Sequence, residues 1–363
     1  MLLTTVLFIF ILGILVFVHE AGHFFAAKIA GVKVEEFAFG FPPRLFSKKR
    51  GETVYSINAI PIGGYVRLLG ESDESKNKRS FSQKSPFSRA MVSVAGVIMH
   101  LVLAWLIFAI GFSIGMTPMV TSADKIPGKI ISNSIIISET TADSPASKAG
   151  FAPGDNLLSA SSAGEEIVVF QNASEVTNYS KNHFGKEVEF VYLRDKSEQT
   201  AKVILSGDQS APFGVGMIDN SVVKVSWYFS PIVAFREIAR IVWINLQFLG
   251  SFFVQLFSRG EISKEVGGPV AIYIFTGMAA RAGAMVFLQF IAILSVSLAL
   301  INILPFPALD GGRLLFIILE KIFRKKVITE KVENIIHSLG FILIIIFAIA
   351  VTYKDVIKFV IKK

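Results

Sequence analysis

Five stretches of this chain, residues 1–18, 90–123, 241–258, 282–309 and 334–353, carry no Asp, Glu, Lys or Arg. A helix needs roughly 20 such residues to cross the hydrocarbon core of a bilayer. Every backbone polar group there must also be satisfied within the chain, which leaves helices or closed barrels. A wholly cytosolic globule is therefore excluded, and a composition 52% hydrophobic and 18% charged agrees. The first stretch has no Lys or Arg ahead of it and no small-residue cleavage site, and its pattern continues through Ala26 and Ala27. It reads as a retained span rather than a signal peptide.

Charge sets the expected orientation. Residues 28–89 carry twelve Lys or Arg against six Asp or Glu, whereas residues 116–226 carry nine against thirteen. Loops rich in Lys and Arg stay in the cytoplasm, so the first segment is expected inside and the second outside. The net charge of +8 then reflects topology rather than nucleic-acid binding. Residues 116–226 hold short β-branched runs at 130–137, 167–170, 188–193 and 201–205, separated by Gly, Ser and Asn clusters. They read as a small soluble β-rich domain. Residues 229–258 differ from the other apolar segments, because Arg236, Glu237, Arg240, Gln247, Ser251 and Gln255 fall on one helical arc. A polar stripe beside an apolar remainder suits a helix lying in the interface better than one crossing it. The polar stretch 71–79 is expected to be a mobile loop without chemistry.

The chemistry is concentrated in His19-Glu20-Ala21-Gly22-His23. Residues i and i+4 share a helix face, so both imidazoles can bind one divalent cation while Glu20 stands beside them to take a proton from water. Ionisable groups in an apolar helix are costly unless used. With no Cys in the chain, a third ligand must be His, Asp or Glu. The candidates at membrane depth are Asp310, His100 and His337. Asp310 follows Asn302-Ile303-Leu304-Pro305-Phe306-Pro307-Ala308-Leu309 and precedes Gly311-Gly312. There the prolines break the helix and the glycines permit close backbone approach. Residues 1–27 run from outside to inside, so 284–304 must do the same for Asp310 to reach the depth of His19 and His23. That requires residues 229–258 not to cross, giving four spans. Lys354, Lys358, Lys362 and Lys363 then lie outside, against the charge bias. His100 and His337 are read as packing or hydrogen-bonded histidines, and His183 as lying in the external domain without a ligand partner.

FVHEAGHF, residues 17–24, with NILPFPALDGG, residues 302–312, resembles the site-2 protease family of intramembrane zinc metalloproteases, in particular its bacterial RseP-type members. The resemblance covers nearly the whole chain. It implies zinc held by His19, His23 and Asp310, with Glu20 as the catalytic residue and Asn302 and Pro305 beside the substrate. Residues 53–67 alternate like a hairpin with a turn at Gly63-Gly64 and resemble the family's membrane-associated β-element, whose edge can bind an unwound substrate. Residues 144–158, SPASKAGFAPGDNLL, are similar to the PDZ segment of bacterial membrane proteases, with room for one such domain rather than two.

The fold class implied is a polytopic α-helical membrane protein of four transmembrane helices, with a membrane-associated β-hairpin and one extracytoplasmic PDZ-like α+β domain. The expected layout is helix 1 at 1–27, a cytoplasmic loop at 28–89 with its β-element at about 51–69, helix 2 at 90–115 and the PDZ-like domain at 116–226. An interfacial segment at 227–283, helix 3 at 284–304, a cytoplasmic loop at 305–336, helix 4 at 337–353 and a tail at 354–363 complete it. The expected activity is cleavage of transmembrane segments in the bacterial inner membrane. Expected substrates are single-pass proteins such as anti-sigma factors or signal-peptide remnants. A membrane-embedded metal-ion carrier is the alternative, although it leaves Glu20 without a role and lacks the repeats common in transporters. A non-catalytic PDZ scaffold is the other.

Overall fold

The computed structural model describes residues 2–71, 75–119, 125–194, 197–206, 208–260, 266–325 and 328–361. Two compact units divide the chain: residues 1–111 with 234–363, and residues 112–233. The first unit begins with α1, Leu2–Ile29, followed by β1, Val34–Arg50, and β2, Thr53–Leu68. Helix α2, Pro86–Ile114, opens after a short turn at Phe81–Gln83. Ile11 and Leu15 of α1 are buried with Ile291, and Leu103 and Ile107 pack against them. One turn beyond the histidines, Ala26 and Ala27 bury against Val32, Val34, Leu68, Val92 and Ala95. Leu2, Leu3, Val6, Phe10 and Phe17 of the same helix are exposed, as an outer apolar face in lipid would be.

The β-element is larger than expected and turns elsewhere. The turn falls at Gly51-Glu52, and residues 53–67 form one strand rather than a hairpin. Phe37 pairs with both Val66 and Tyr55, and Phe39 with both Gly64 and Ile57, so the first half of β1 lies between the two halves of β2. The Gly63-Gly64 pair serves close approach. A Cβ on Gly64 would stand 2.8 Å from the Ala38 carbonyl oxygen, 3.0 Å from Val16 and 3.2 Å from Glu20. Gly63 sits at φ 87° inside the strand, where glycine carries no Cβ penalty.

The second unit is a six-stranded sheet with two helices and a separate strand pair. Strand β3, Lys129–Ser132, pairs with β10, Val222–Lys224. The run expected at 130–137 is split by Asn133-Ser134 into β3 and β4, Ile135–Thr140. Pro145–Lys148 forms the short turn α3, capped by Ser144, and leads through Pro153-Gly154 into β5, Asn156–Ser162. Asp155 fixes that turn: it accepts from the Ala152 amide at 2.8 Å and pairs with Arg194 at 2.6 Å while 1% exposed. Strand β6, Val168–Val169, precedes α4, Ala173–Asn182. Asn172 accepts from the Glu175 amide, and Glu175 accepts from the Gln171 amide, a reciprocal cap written in the sequence. Strands β7, Glu187–Arg194, β8, Ser197–Ile204, and β9, Val215–Asp219, complete the order β8-β7-β5-β4-β9, with β6 on β5. Alternating residues of β7, namely Val188, Phe190 and Tyr192, enter a core with Phe151, Phe170 and Phe213.

The chain returns to the first unit within α5, Ser230–Arg259, and continues into α6, Pro269–Ala282, where one interfacial segment was expected. Within α5, Glu237 is buried while Phe235, Trp243, Ile244 and Val254 are exposed. Helix α7, Ala284–Ile303, ends before the two prolines. The loop expected at 305–336 holds a further helix, α8, Asp310–Phe323. Its apolar positions Leu314, Leu315, Ile317 and Ile318 follow a helical period that the charges at 320–325 obscured. Helix α9, Glu330–Val356, continues into a π turn at Ile357–Ile361, so the expected tail is helical as far as Ile361. There Asp355 accepts from the amides of Gly268 at 2.8 Å and Ala271 at 3.0 Å, capping α6. Lys362 and Lys363, and residues 72–74 of the expected mobile loop, lie outside the described residues. Among the described residues four helices are long and apolar enough to cross a membrane: Leu2–Ile29, Pro86–Ile114, Ala284–Ile303 and Val332–Phe359.

Candidate metal centre

His19 and His23 leave α1 one turn apart, and their Nε2 atoms stand 3.2 Å from each other. Asp310, the first residue of α8, brings Oδ2 to 3.3 Å from His19 Nε2 and 3.4 Å from His23 Nε2. The three atoms make a nearly equilateral triangle. Ligand atoms about 2.0–2.2 Å from a tetrahedral zinc lie about 3.3–3.6 Å from one another, so this triangle fits one face of such a centre. Among the described residues this is the one grouping of three His, Asp or Glu side chains close enough to share a cation. An orphaned atom agrees with that use, since Asp310 Oδ2 is buried without a hydrogen-bond partner. His23 Nδ1 meets the Val92 carbonyl oxygen at 2.8 Å. A carbonyl can only accept, so the ring proton sits on Nδ1 and the Nε2 lone pair faces the other two ligand atoms.

Close packing of α2 on α1 makes the arrangement possible. A Cβ on Gly96 would stand 2.5 Å from His19 Cε1 and 2.6 Å from His23 Nε2. Across the same contact, a Cβ on Gly22 would stand 2.5 Å from the Ala95 carbonyl oxygen. Both glycines sit inside helices, where glycine costs roughly 0.5–1 kcal/mol relative to Ala. In an apolar span, a small residue such as Gly96 is the sequence signal of a close helix contact.

The triangle opens on a cavity of about 310 Å³. Glu20, Asn302, Gly64, Glu71 and Arg313 line it with His19, His23 and Asp310; Pro305 and Gly63 do not. Glu71 and Arg313 form an ion pair, and the charge of Glu71 raises the Arg313 guanidinium above its already high range. Of the polar stretch 71–79, Glu71 thus reaches the cavity wall through this ion pair. A larger cavity of about 680 Å³ lies in the second unit, lined by Asp143, Lys148 and Lys202 among others. It holds no grouping with ligand spacing among the described residues.

The remaining histidines are hydrogen-bonded. Ser295 Oγ donates to the His100 carbonyl at 2.9 Å, so His100 Nδ1, 3.0 Å from the same oxygen, must be the donor in that second bond. His183 is held between the Tyr179 carbonyl at 2.8 Å and Glu165 at 2.6 Å in the second unit. His337 accepts from the Ala308 amide at 2.8 Å.

The model of peptidase family M50 matches residues 7–347. A Clostridium perfringens relative carrying a provisional zinc-metalloprotease name is 35% identical over 343 residues, 94% of this chain and 95% of its own. Zinc metalloprotease RasP of Shouchella clausii is 30% identical over 441 aligned positions, 98% of this chain and 99% of its own. The protein of that name from Bacillus licheniformis is 28% identical and similarly covered, at 97% and 98%.

Proposed function

We propose, from the premise that this chain belongs to peptidase family M50 and is a zinc metalloendopeptidase of the site-2 protease type, that it cuts transmembrane segments of single-pass proteins inside the bacterial inner membrane. His19, His23 and Asp310 hold the zinc in this reading. The observation that carries it is the triangle of 3.2, 3.3 and 3.4 Å, opening on a cavity that Glu20 shares. When bound, the metal supplies a Lewis acid able to acidify water and polarise a carbonyl. The Glu20 carboxylate takes the proton of the attacking water and returns it to the leaving amide nitrogen. The Asn302 side-chain amide, in the same lining, has donors for a substrate carbonyl and an acceptor for a substrate amide.

Substrate must be unwound before a peptide bond can be attacked, and the β-element suits that need. Residues 64–68 pair on one side with the start of β1, and no strand covers their other edge among the described residues. Gly64, Tyr65, Val66 and Leu68 also line the cavity. An extended substrate segment added to this edge by backbone pairing lies against the site, and Gly63, just before it, sets the strand's path. Pro305 acts by ending α7 beside Asn302. The charge bias supports residues 28–89 on the cytoplasmic side and the second unit, as a PDZ-like domain, outside. Anti-sigma factors and remnant signal peptides are substrates of the right form. The α5 segment lies in the interface, its exposed Trp243 and Phe235 toward lipid.

Purified protein is expected to contain about one zinc per chain and to cleave a single-span peptide in detergent or vesicles. Glu20→Gln is expected to keep its zinc and lose about 10²–10⁴ in rate. Asp310→Asn is expected to lose zinc first. Cleavage by Glu20→Gln at the wild-type rate sinks the mechanism, and metal flux across vesicles surviving in it favours a carrier.

A further inference from the structure

Asp310 is carried by a segment that is not helical until Asp310 itself. Between the end of α7 and the start of α8, Ala308 turns through φ 74°, the left-handed region that a residue with a Cβ seldom occupies. Two residues on, the Asp310 carboxylate meets both histidines. The amide of Ala308 donates to His337 Nδ1 at 2.8 Å. That nitrogen therefore presents a lone pair, and the neutral ring carries its proton on Nε2. His337 belongs to α9, which contributes nothing to the cavity lining. Its ring is also in edge contact with Phe316 of α8, centroids 5.7 Å apart. One turn further along α9, a Cβ on Gly340 would stand 2.5 Å from both the carbonyl oxygen and the Cβ of Pro307. Helix α9 thus reaches the turn at two adjacent residues, once by a hydrogen bond and once by a bare helix surface.

We infer that His337 is a positioning residue for the metal centre: by accepting from the Ala308 amide it holds the left-handed turn that aims Asp310 at His19 and His23. The inference rests on Asp310 serving as a zinc ligand. A residue in the left-handed region persists only when its surroundings hold it there, and the Ala308 amide has this acceptor to hold it. Without it the turn is free to relax and Asp310 to leave the triangle.

Zinc affinity of the purified full chain, measured by chelator competition, tests this without reference to proteolysis. His337→Phe, which keeps a ring but no acceptor, is expected to weaken zinc binding about 10–100-fold, the range typical of losing a hydrogen-bond partner behind a metal site. His337→Asn places Oδ1 where Nδ1 stood and is expected to bind close to wild type. His337→Gln sets its oxygen one bond further out and is expected to resemble Phe. Ala308→Gly added to His337→Phe is expected to restore part of the affinity, because glycine adopts a positive φ without the Cβ penalty that the clamp offsets. Wild-type affinity in a folded His337→Phe overturns the inference, and absence of rescue by glycine overturns the route through Ala308. Should the Phe variant fail to fold, the Asn and Gln variants decide, and equal affinities in those two overturn it. Asp310→Asn runs alongside. Wild-type affinity there overturns the ligand assignment itself, whatever the His337 variants do, whereas its loss beside an unaffected His337→Phe removes only the positioning role.

Discussion

His19 and His23 leave one uninterrupted helix a turn apart, whereas Asp310 leaves the chain where a helix has just broken and another begins. Backbone hydrogen bonding within α1 sets the spacing of the two imidazoles, and the neighbouring helix α2 adds the Val92 carbonyl that orients His23 and leaves room at Gly96. The carboxylate has no such internal ruler. Its place is set by a left-handed turn, by Gly311 and Gly312 passing close to the carbonyls of residues 303–306, by His337 and Gly340 of α9, and by ion pairs on α8. A site assembled from a rigid half and a clamped half should respond differently to damage in each.

The largest effect is expected from the rigid half, because an intrusion there meets two ligands together. Gly96→Val puts a branched side chain where even a Cβ reaches both imidazoles. Misplacement of reacting groups by about 1 Å can cost about 10² in rate, and here the metal is displaced as well. Proteolysis of a single-span peptide should fall at least that far, with zinc content falling in parallel. Normal zinc in Gly96→Val would show that α2 can withdraw, and that the close approach is incidental.

An intermediate effect is expected from the clamped half. A Cβ on Gly311 would overlap the carbonyl oxygens of Ile303 and Leu304, so Gly311→Ala must push the start of α8 away from the end of α7. Overpacking of this kind costs typically about 1–3 kcal/mol. Zinc affinity should fall about tenfold while the fold survives, because only one of three ligand atoms is moved. Equilibrium dialysis against zinc, with circular dichroism as the check on folding, separates this from a general collapse. A loss as large as that of Gly96→Val would erase the distinction between the two halves.

The same division explains what could be read in the sequence. Ligand spacing on a helix is periodic, so His19, Glu20 and His23 were visible at once. Asp310 was visible through its motif and through depth in the bilayer. Gly311 and Gly312 were legible too, as a place of close backbone approach, but the clamps on α9 were not. His337 looked like any histidine near an interface, because the atom it serves is a backbone amide 29 residues away. The Val92 carbonyl that orients His23 has no side-chain signature at all. Gly63-Gly64 carried a turn signal and was misread, because sequence does not say whether a glycine pair bends the chain or lets another element pass. Here Val16 and Glu20 pass. Helix α8 was hidden because its start is the motif itself and its end is a run of charge.

The smallest effect belongs to the far end of α8. Arg89, at the start of α2, donates to both carboxylate oxygens of Glu320 at 3.1 and 2.8 Å, ten residues beyond Asp310. Arg89 is 12% exposed and Glu320 24%, so the pair is only partly screened by solvent. It ties α8 to α2, the helix that supplies both Val92 and Gly96, and so joins the clamped half of the site to the rigid one. Yet the pair acts through some three turns of helix, and a rotation about Asp310 can absorb the loss. Arg89→Met, which keeps much of the side-chain volume, should lower stability by about 1 kcal/mol. Zinc affinity should change by less than about threefold, because breaking the pair leaves the His337 contact in place. A thermal midpoint in detergent and a chelator competition on the same sample measure the two quantities. A tenfold loss of zinc affinity in Arg89→Met would mean that α8 is positioned as a rigid rod from its far end, and that the turn at Ala308 follows the helix rather than setting it.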